Sequence, residues 1–169
     1  AEGWEDRAHL VGGNWKSGPG ALGWDNSLPQ IPQLTELTQP VTNDPFVLTY
    51  YFEHDFTLTP SQFDNLTQLQ IEHFFDDGGV VYVNGQEVFR HEIPAGVPTP
   101  ETLSTGSGDA EPSERIGVPT ASLVAGLNRI SVEVHQGTRG SSDVMFALRA
   151  TLVEQPPDPS APKDTIVFN

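Results

Sequence analysis

An antiparallel all-β sandwich is the fold class this 169-residue sequence predicts, on three observations. Short apolar runs recur with a period of two, which places alternate side chains on one face of a strand. Proline (15 residues) and glycine (16 residues) divide the chain into segments too short for helices of useful length. No stretch keeps a helical period, so many short strands joined by turns are left, and such strands pack as two sheets.

The strands can be taken in order. Val47 to Phe56, VLTYYFEHDF, sets Leu48, Tyr50, Phe52 and Phe56 on one face and turns Tyr51 outward. Leu66 to Phe75, LTQLQIEHFF, does the same for Leu69, Ile71, His73 and Phe75. His54 and His73 fall on these apolar faces and read as interior histidines. Next comes FFDDGGVVYVNGQEV, where Asn84-Gly85 predicts a two-residue hairpin because both turn positions need positive φ. Pairing across it sets Val83 against Gln86, Tyr82 against Glu87, Val81 against Val88 and Val80 against Phe89. Pro94 to Pro119 is too polar and proline-rich for a core and reads as one long loop. The last two strands lie in Leu127–Gln136 and Asp143–Leu152, with Ile130, Val132 and Val134, then Val144, Phe146, Leu148, Ala150 and Leu152, alternating inward.

Charge and composition narrow the function. Eight basic against 23 acidic residues give a formal charge of -15. Such a surface repels phosphate backbones and anionic lipid, which argues against nucleic acid and membrane insertion and favours neutral or cationic partners and divalent cations. The absence of cysteine excludes disulfides and thiolate metal sites. Residues 1–153 read as one sandwich module. Residues 154–163, EQPPDPSAPK, read as a proline-rich linker, and 164–169, DTIVFN, as the start of a following domain or a terminal strand.

The block FFDDGGVVYVNGQEVFRHEIPAG, followed by LVAGLNRISVEVHQGTRGSSDVMFALRATL, carries a family resemblance. With the glycine-rich entry WKSGPGALGW (Trp15 to Trp24), it resembles the galactose-binding-like jelly-roll modules of large secreted bacterial multidomain proteins, over most of Trp15 to Leu152. The resemblance implies a non-catalytic module at an extracellular or cell-surface location, beside neighbouring domains of the same chain. Its implied role is recognition of a glycan such as a polysaccharide. The alternative is a structural spacer without a ligand of its own.

Candidate site residues follow from residue chemistry. Asp76 and Asp77 admit two readings: a tight turn, since aspartate caps its own backbone, or a calcium site with Asp143, since a hard cation collects carboxylate oxygens. The hydrophobic hairpin that follows favours the turn. Neighbouring carboxylates in one turn diverge, a poor fit to the facing pair that glycoside hydrolysis needs. No metalloprotease motif, phosphate loop or nucleophile elbow is present, and the expectation is that the chain is not an enzyme. Glu133, His135 and Arg149 share, by alternation, the outer side of what read as adjacent strands, either as sugar-binding groups or as a solvated cross-strand ion pair. An alternative for His135 is burial under the following loop, bonded to Ser141, Ser142 and Asp143. Trp4 and Trp24 read either as stacking platforms for a pyranose or as anchors that pin their segment to the sandwich, Tyr51 is a further platform candidate, and Trp15 reads as an anchor. Arg139, a scarce cation in the loop GTRG, could meet an acidic sugar.

Overall fold

The computed structural model describes residues 3–25, 31–38, 46–107 and 111–156. The segment expected from residue 164 onward, and most of the expected linker, lie outside the described residues. Among the described residues nine strands, one short α-helix and one single-turn 3-10 helix (Thr120–Ser122) are defined: β1 (Leu22–Trp24), β2 (Thr35–Glu36), β3 (Thr49–Leu58), α1 (Pro60–Asn65), β4 (Leu66–Asp76), β5 (Gly78–Val83), β6 (Gln86–His91), β7 (Ile116–Val118), β8 (Gly126–His135) and β9 (Val144–Glu154). They form a five-stranded sheet in the order β2-β1-β9-β4-β7 and a four-stranded sheet in the order β3-β8-β5-β6. All pairings are antiparallel except the two-residue contact of β1 with β2. From β3 to β9 the chain changes sheet at every connection except the β5–β6 hairpin.

The predicted alternation fills the space between the sheets. Leu69 and Ile71 of β4, Val81 and Val83 of β5, Val132 and Val134 of β8, and Val144 and Phe146 of β9 form one buried cluster. Each such side chain contributes roughly 1.5–3 kcal/mol by leaving water. Phe52 stacks on Phe146 across the sheets at 4.0 Å between ring centroids.

The Asp-Asp-Gly-Gly stretch is the corner where β4 of one sheet becomes β5 of the other. Gly137, just after β8, donates its N–H to Asp77 Oδ2 at 2.5 Å, so this carboxylate ties two intersheet connections together. A side chain at Gly79 would lie 2.9 Å from the Glu133 carbonyl and 2.9 Å from the Phe75 ring, so only glycine lets the strands approach here. The doublet therefore directs the chain, as the turn reading expects, although the turn joins two sheets.

Three expectations need correction. The hairpin slips by one residue between Val81 and Tyr82: Val81 pairs with Phe89 and Val80 with Arg90, leaving Val88 as a bulge. A bulge of this kind turns the following side chains to the opposite face. A helix is present after all: Thr59 accepts from the Gln62 N–H and Gln62 reaches back to the Thr59 N–H, a capping box ahead of Pro60 at the first turn. Finally, the long loop contains β7, which pairs with β4 through Leu69–Val118 and Ile71–Ile116.

The AGLN segment also acquires a physical role. Asn128 is fully buried; its side chain accepts from the Val124 N–H and the Asn84 amide, and donates to the Val124 and Gly126 carbonyls. It thereby locks the entry of β8 to the Asn-Gly hairpin. Asn128→Ala strands these groups in the interior and should cost about 3 kcal/mol, read as a lower urea midpoint at unchanged m-value. Gly79→Ala should cost about 2 kcal/mol through overpacking, measured in the same way.

Candidate functional site: an aromatic groove at the open edge of the sandwich

The outer face of the four-stranded sheet gathers several of the predicted residues and then covers them. Glu133 accepts from the Tyr82 hydroxyl at 2.6 Å, and His135 Nε2 lies 3.2 Å from the other oxygen of Glu133, outside hydrogen-bonding alignment. His135 Nδ1 donates to the Thr102 carbonyl at 2.8 Å and lies 3.0 Å from Thr49 Oγ1. The segment from Gly3 to Leu10 lies across this face. Trp4 packs edge-on against Tyr51 (4.7 Å) and Tyr82 (5.9 Å), the Glu5 carbonyl accepts from Ser131 Oγ, and the His9 carbonyl accepts from Arg129. Burial holds the Tyr51 hydroxyl up at about 12, with Glu133 and Glu101 adding to the effect. Burial and the bond to Glu133 raise that of Tyr82 as well.

The expectation of a solvated face holding Glu133, His135 and Arg149 is therefore overturned. Glu133 and His135 are buried beneath Trp4 and the Thr99–Thr105 loop, and Arg149 is on β9, in the other sheet. Arg149 instead faces Glu72 across the β4–β9 pair at 3.8 Å, an exposed contact of small energetic weight. His135 Nδ1 meets Thr49 and Thr102, and Gln136, just after β8, donates from Nε2 to the Asp143 carbonyl of the Ser-Ser-Asp loop. Trp4 is a buried anchor. Trp24 is half-buried against the core, Trp15 sits beside His9 at 5.8 Å, and Arg139 is exposed on its loop. Asp76 and Asp77 are buried, and among the described residues no three His, Asp or Glu side chains, these and Asp143 included, come together to hold a metal ion.

The site that sequence patterning misses lies between the sheets at their β6/β7 edge. The Val88 bulge re-aims Phe89 and His91 inward, toward His73 and Phe75 of β4. Four rings then meet: His73 stacks on Phe75 at 4.2 Å and lies 4.9 Å from His91 and 5.1 Å from Phe89. They line a groove of about 530 Å³, within the size range of small-ligand sites. Ser113 fastens its acidic lip to β4: it donates its N–H to the His73 carbonyl and accepts from the His73 N–H, which brings Glu111 and Glu114 alongside. Glu92 closes the other side. Its backbone is in the left-handed region (φ 52), a strain of about 1 kcal/mol, offset by Ser104 and Thr105, which donate three hydrogen bonds to its carbonyl.

His73 is an interior histidine, as predicted, but it is not satisfied: its Nδ1 is buried without a hydrogen-bond partner among the described residues. Burial, reinforced by neighbouring His91, lowers its pKa to about 4. His54, by contrast, is exposed at the β3 edge.

The depressed His73 value fixes a sign. Between pH 6.5 and 4 the unfolded chain takes up a proton at this position and the folded chain does not, so stability falls as pH falls through that window. His73→Phe keeps the stacked ring and removes the titration. The melting temperature of the variant should vary less steeply than wild type between pH 6.5 and 4, as measured by scanning calorimetry.

No family model matches this chain, and no curated protein matches it. Among solved structures the chain is loosely similar to glycosidases. A glycosyl hydrolase family 2 member from Bacteroides cellulosilyticus is 18% identical over 89% of this chain and 18% of its own length, with a TM-score of 0.44. A β-glucuronidase from Ruminococcus gnavus is 13% identical over 78% of this chain and 24% of its own, with a TM-score of 0.38. A β-D-mannosidase from Dictyoglomus thermophilum is 14% identical over 52% and 9%, with a TM-score of 0.34. The chain thus spans less than a quarter of the length of each of these proteins, and its β-sandwich architecture rests on its own sheet topology.

Proposed function

We propose that this sandwich is a non-catalytic recognition module for carbohydrate, acting at an extracellular or cell-surface location beside other domains of a longer chain, and that the β6/β7 groove is its binding site. One observation carries the proposal: aromatic rings and carboxylates line the same groove, and one of those rings, His73, has a buried nitrogen without a partner among the described residues. A pyranose offers an apolar C–H face and a rim of hydroxyls. Ring faces suit the first, and carboxylates with a neutral imidazole suit the second. The galactose-binding-like motifs of the sequence are in keeping with this role. Catalysis is not part of the proposal; turnover of a glycoside by the isolated chain would contradict it. Calcium is not part of it either; EDTA should leave the melting temperature unchanged, and a drop would restore the expected ion.

A second observation favours interdomain packing. The outer face of the five-stranded sheet carries an apolar shelf of Ala21, Ile31, Phe74 and Ala147, bordered by exposed Leu34. This shelf suits contact with a neighbouring domain of the same chain and would make the module a spacer.

A glycan array followed by titration calorimetry separates the two. Saturable binding is expected, and His91→Ala should weaken it at least tenfold, about 1.4 kcal/mol, with little change in melting temperature. Arg139→Ala and Arg149→Ala should leave binding unchanged. A flat array would leave the spacer role as the better description.

A further inference from the structure

The groove's charge is more specific than a neutral sugar requires. Glu92, Glu111, Glu114 and Asp77 line it, and no lysine or arginine does so among the described residues. Asp77 is engaged with Gly137, and His91 Nε2 lies 3.8 Å from Glu92 Oε2, a separation that only a protonated ring would make an ion pair. The lip is therefore rich in negative charge above a floor of rings. His73, 94% buried by its relative exposure of 6%, forms part of that floor and carries the unpartnered Nδ1.

Building on the carbohydrate role argued above, we infer that the groove takes an amino sugar, a hexosamine unit bearing a free ammonium group. The ammonium satisfies three requirements at once. Its positive charge meets the carboxylates of Glu92 and Glu114. Its N–H groups are donors only, which suits a neutral imidazole acceptor such as His73, whose depressed pKa keeps it uncharged beside a cation. Its attachment to a pyranose ring brings the C–H face over Phe89 and His91, where an adjacent cation is also drawn to the Phe89 face. Acetylating the amine removes the charge and two of the donors while leaving the rest of the sugar in place. An acidic sugar would meet like charge on the lip and be excluded.

The test uses three oligosaccharides of equal length: β-1,4-linked glucosamine, its fully N-acetylated form, and the corresponding glucose oligomer. Titration calorimetry is run near pH 6, where the amine is protonated and His73 is not. The glucosamine oligomer should bind at least tenfold more tightly than the other two. That advantage should shrink in 0.5 M salt and disappear in the Glu92→Gln/Glu114→Gln double variant. His73→Phe, which keeps the stacked ring, should lower glucosamine affinity while the folded state persists by calorimetry. Equal or tighter binding of the N-acetylated or glucose oligomer, lost in His91→Ala, would overturn the amino-sugar assignment and leave the carbohydrate role standing. Binding by none of the three, with a flat glycan array, would overturn both. Equal affinity for spermine and the glucosamine oligomer would overturn the assignment in favour of simple charge attraction.

Discussion

A buried nitrogen without a hydrogen-bond partner costs about 1–3 kcal/mol. Among the described residues Trp24 Nε1, Glu53 Oε2, His73 Nδ1, His135 Nε2 and Gln136 Oε1 are buried in this state, and of these residues only His73 lines the groove. The residue is on the inward face of β4, where its neighbours Ile71 and Phe75 are apolar, and a phenylalanine would fill the same stacked position without the penalty. An imidazole there is disfavoured by packing, and a ligand that donates to Nδ1 offsets that cost when this nitrogen carries no proton. The rest of the groove follows from how the chain is brought around this ring: a bulge in β6 that turns Phe89 and His91 inward, a serine that lays an acidic segment along β4, and a left-handed Glu92 held by three hydrogen bonds.

The other surfaces of the sandwich are occupied differently. On the outer face of the four-stranded sheet, the segment around Trp4 covers a connected polar layer of Tyr51, Tyr82, Glu133 and His135. Arg129 extends that layer: it bonds Asp55 through two nitrogens and lies 2.9 Å from Glu53, and these contacts hold the Asp55 carboxyl below its usual range. Apart from His135 Nε2 and Glu53 Oε2, which have no hydrogen-bond partner among the described residues, these groups bond to one another or to the segments that cover them, and they fasten the N-terminal segment. The outer face of the five-stranded sheet is apolar at Phe74 and Ala147, and on it Glu72 faces both Arg149 and Arg115 in exposed ion pairs.

Much of the fold was legible because strand alternation is a local signal. The inward sets of β3, β4, β8 and β9 follow from period-two patterning, and Asn84-Gly85 marks the hairpin. What patterning could not supply was partnership between distant segments. Glu133 and Arg149 share an outward phase along their strands, but phase does not say which sheet a strand joins, and the two belong to different sheets. The cover over Glu133 comes from the segment around Trp4, more than 100 positions earlier, and that over His135 from Thr49 and Thr102. The groove was hidden by a single residue: with regular pairing, Phe89 opposes Val80 and faces outward, and only the Val88 bulge brings it beside His73. The capping box at Thr59–Gln62 was visible in the sequence, in a six-residue segment too short to show a helical period.

The most direct test of the His73 assignment observes the nitrogen itself. In protein labelled with 15N-histidine, the His73 Nδ1 resonance should show the signature of an unbonded neutral imidazole in the free chain. It should shift toward that of a hydrogen-bonded acceptor on saturation with glucosamine oligosaccharide. A resonance that is already hydrogen-bonded without ligand, or that stays fixed while ligand binds, would contradict a binding role for this ring.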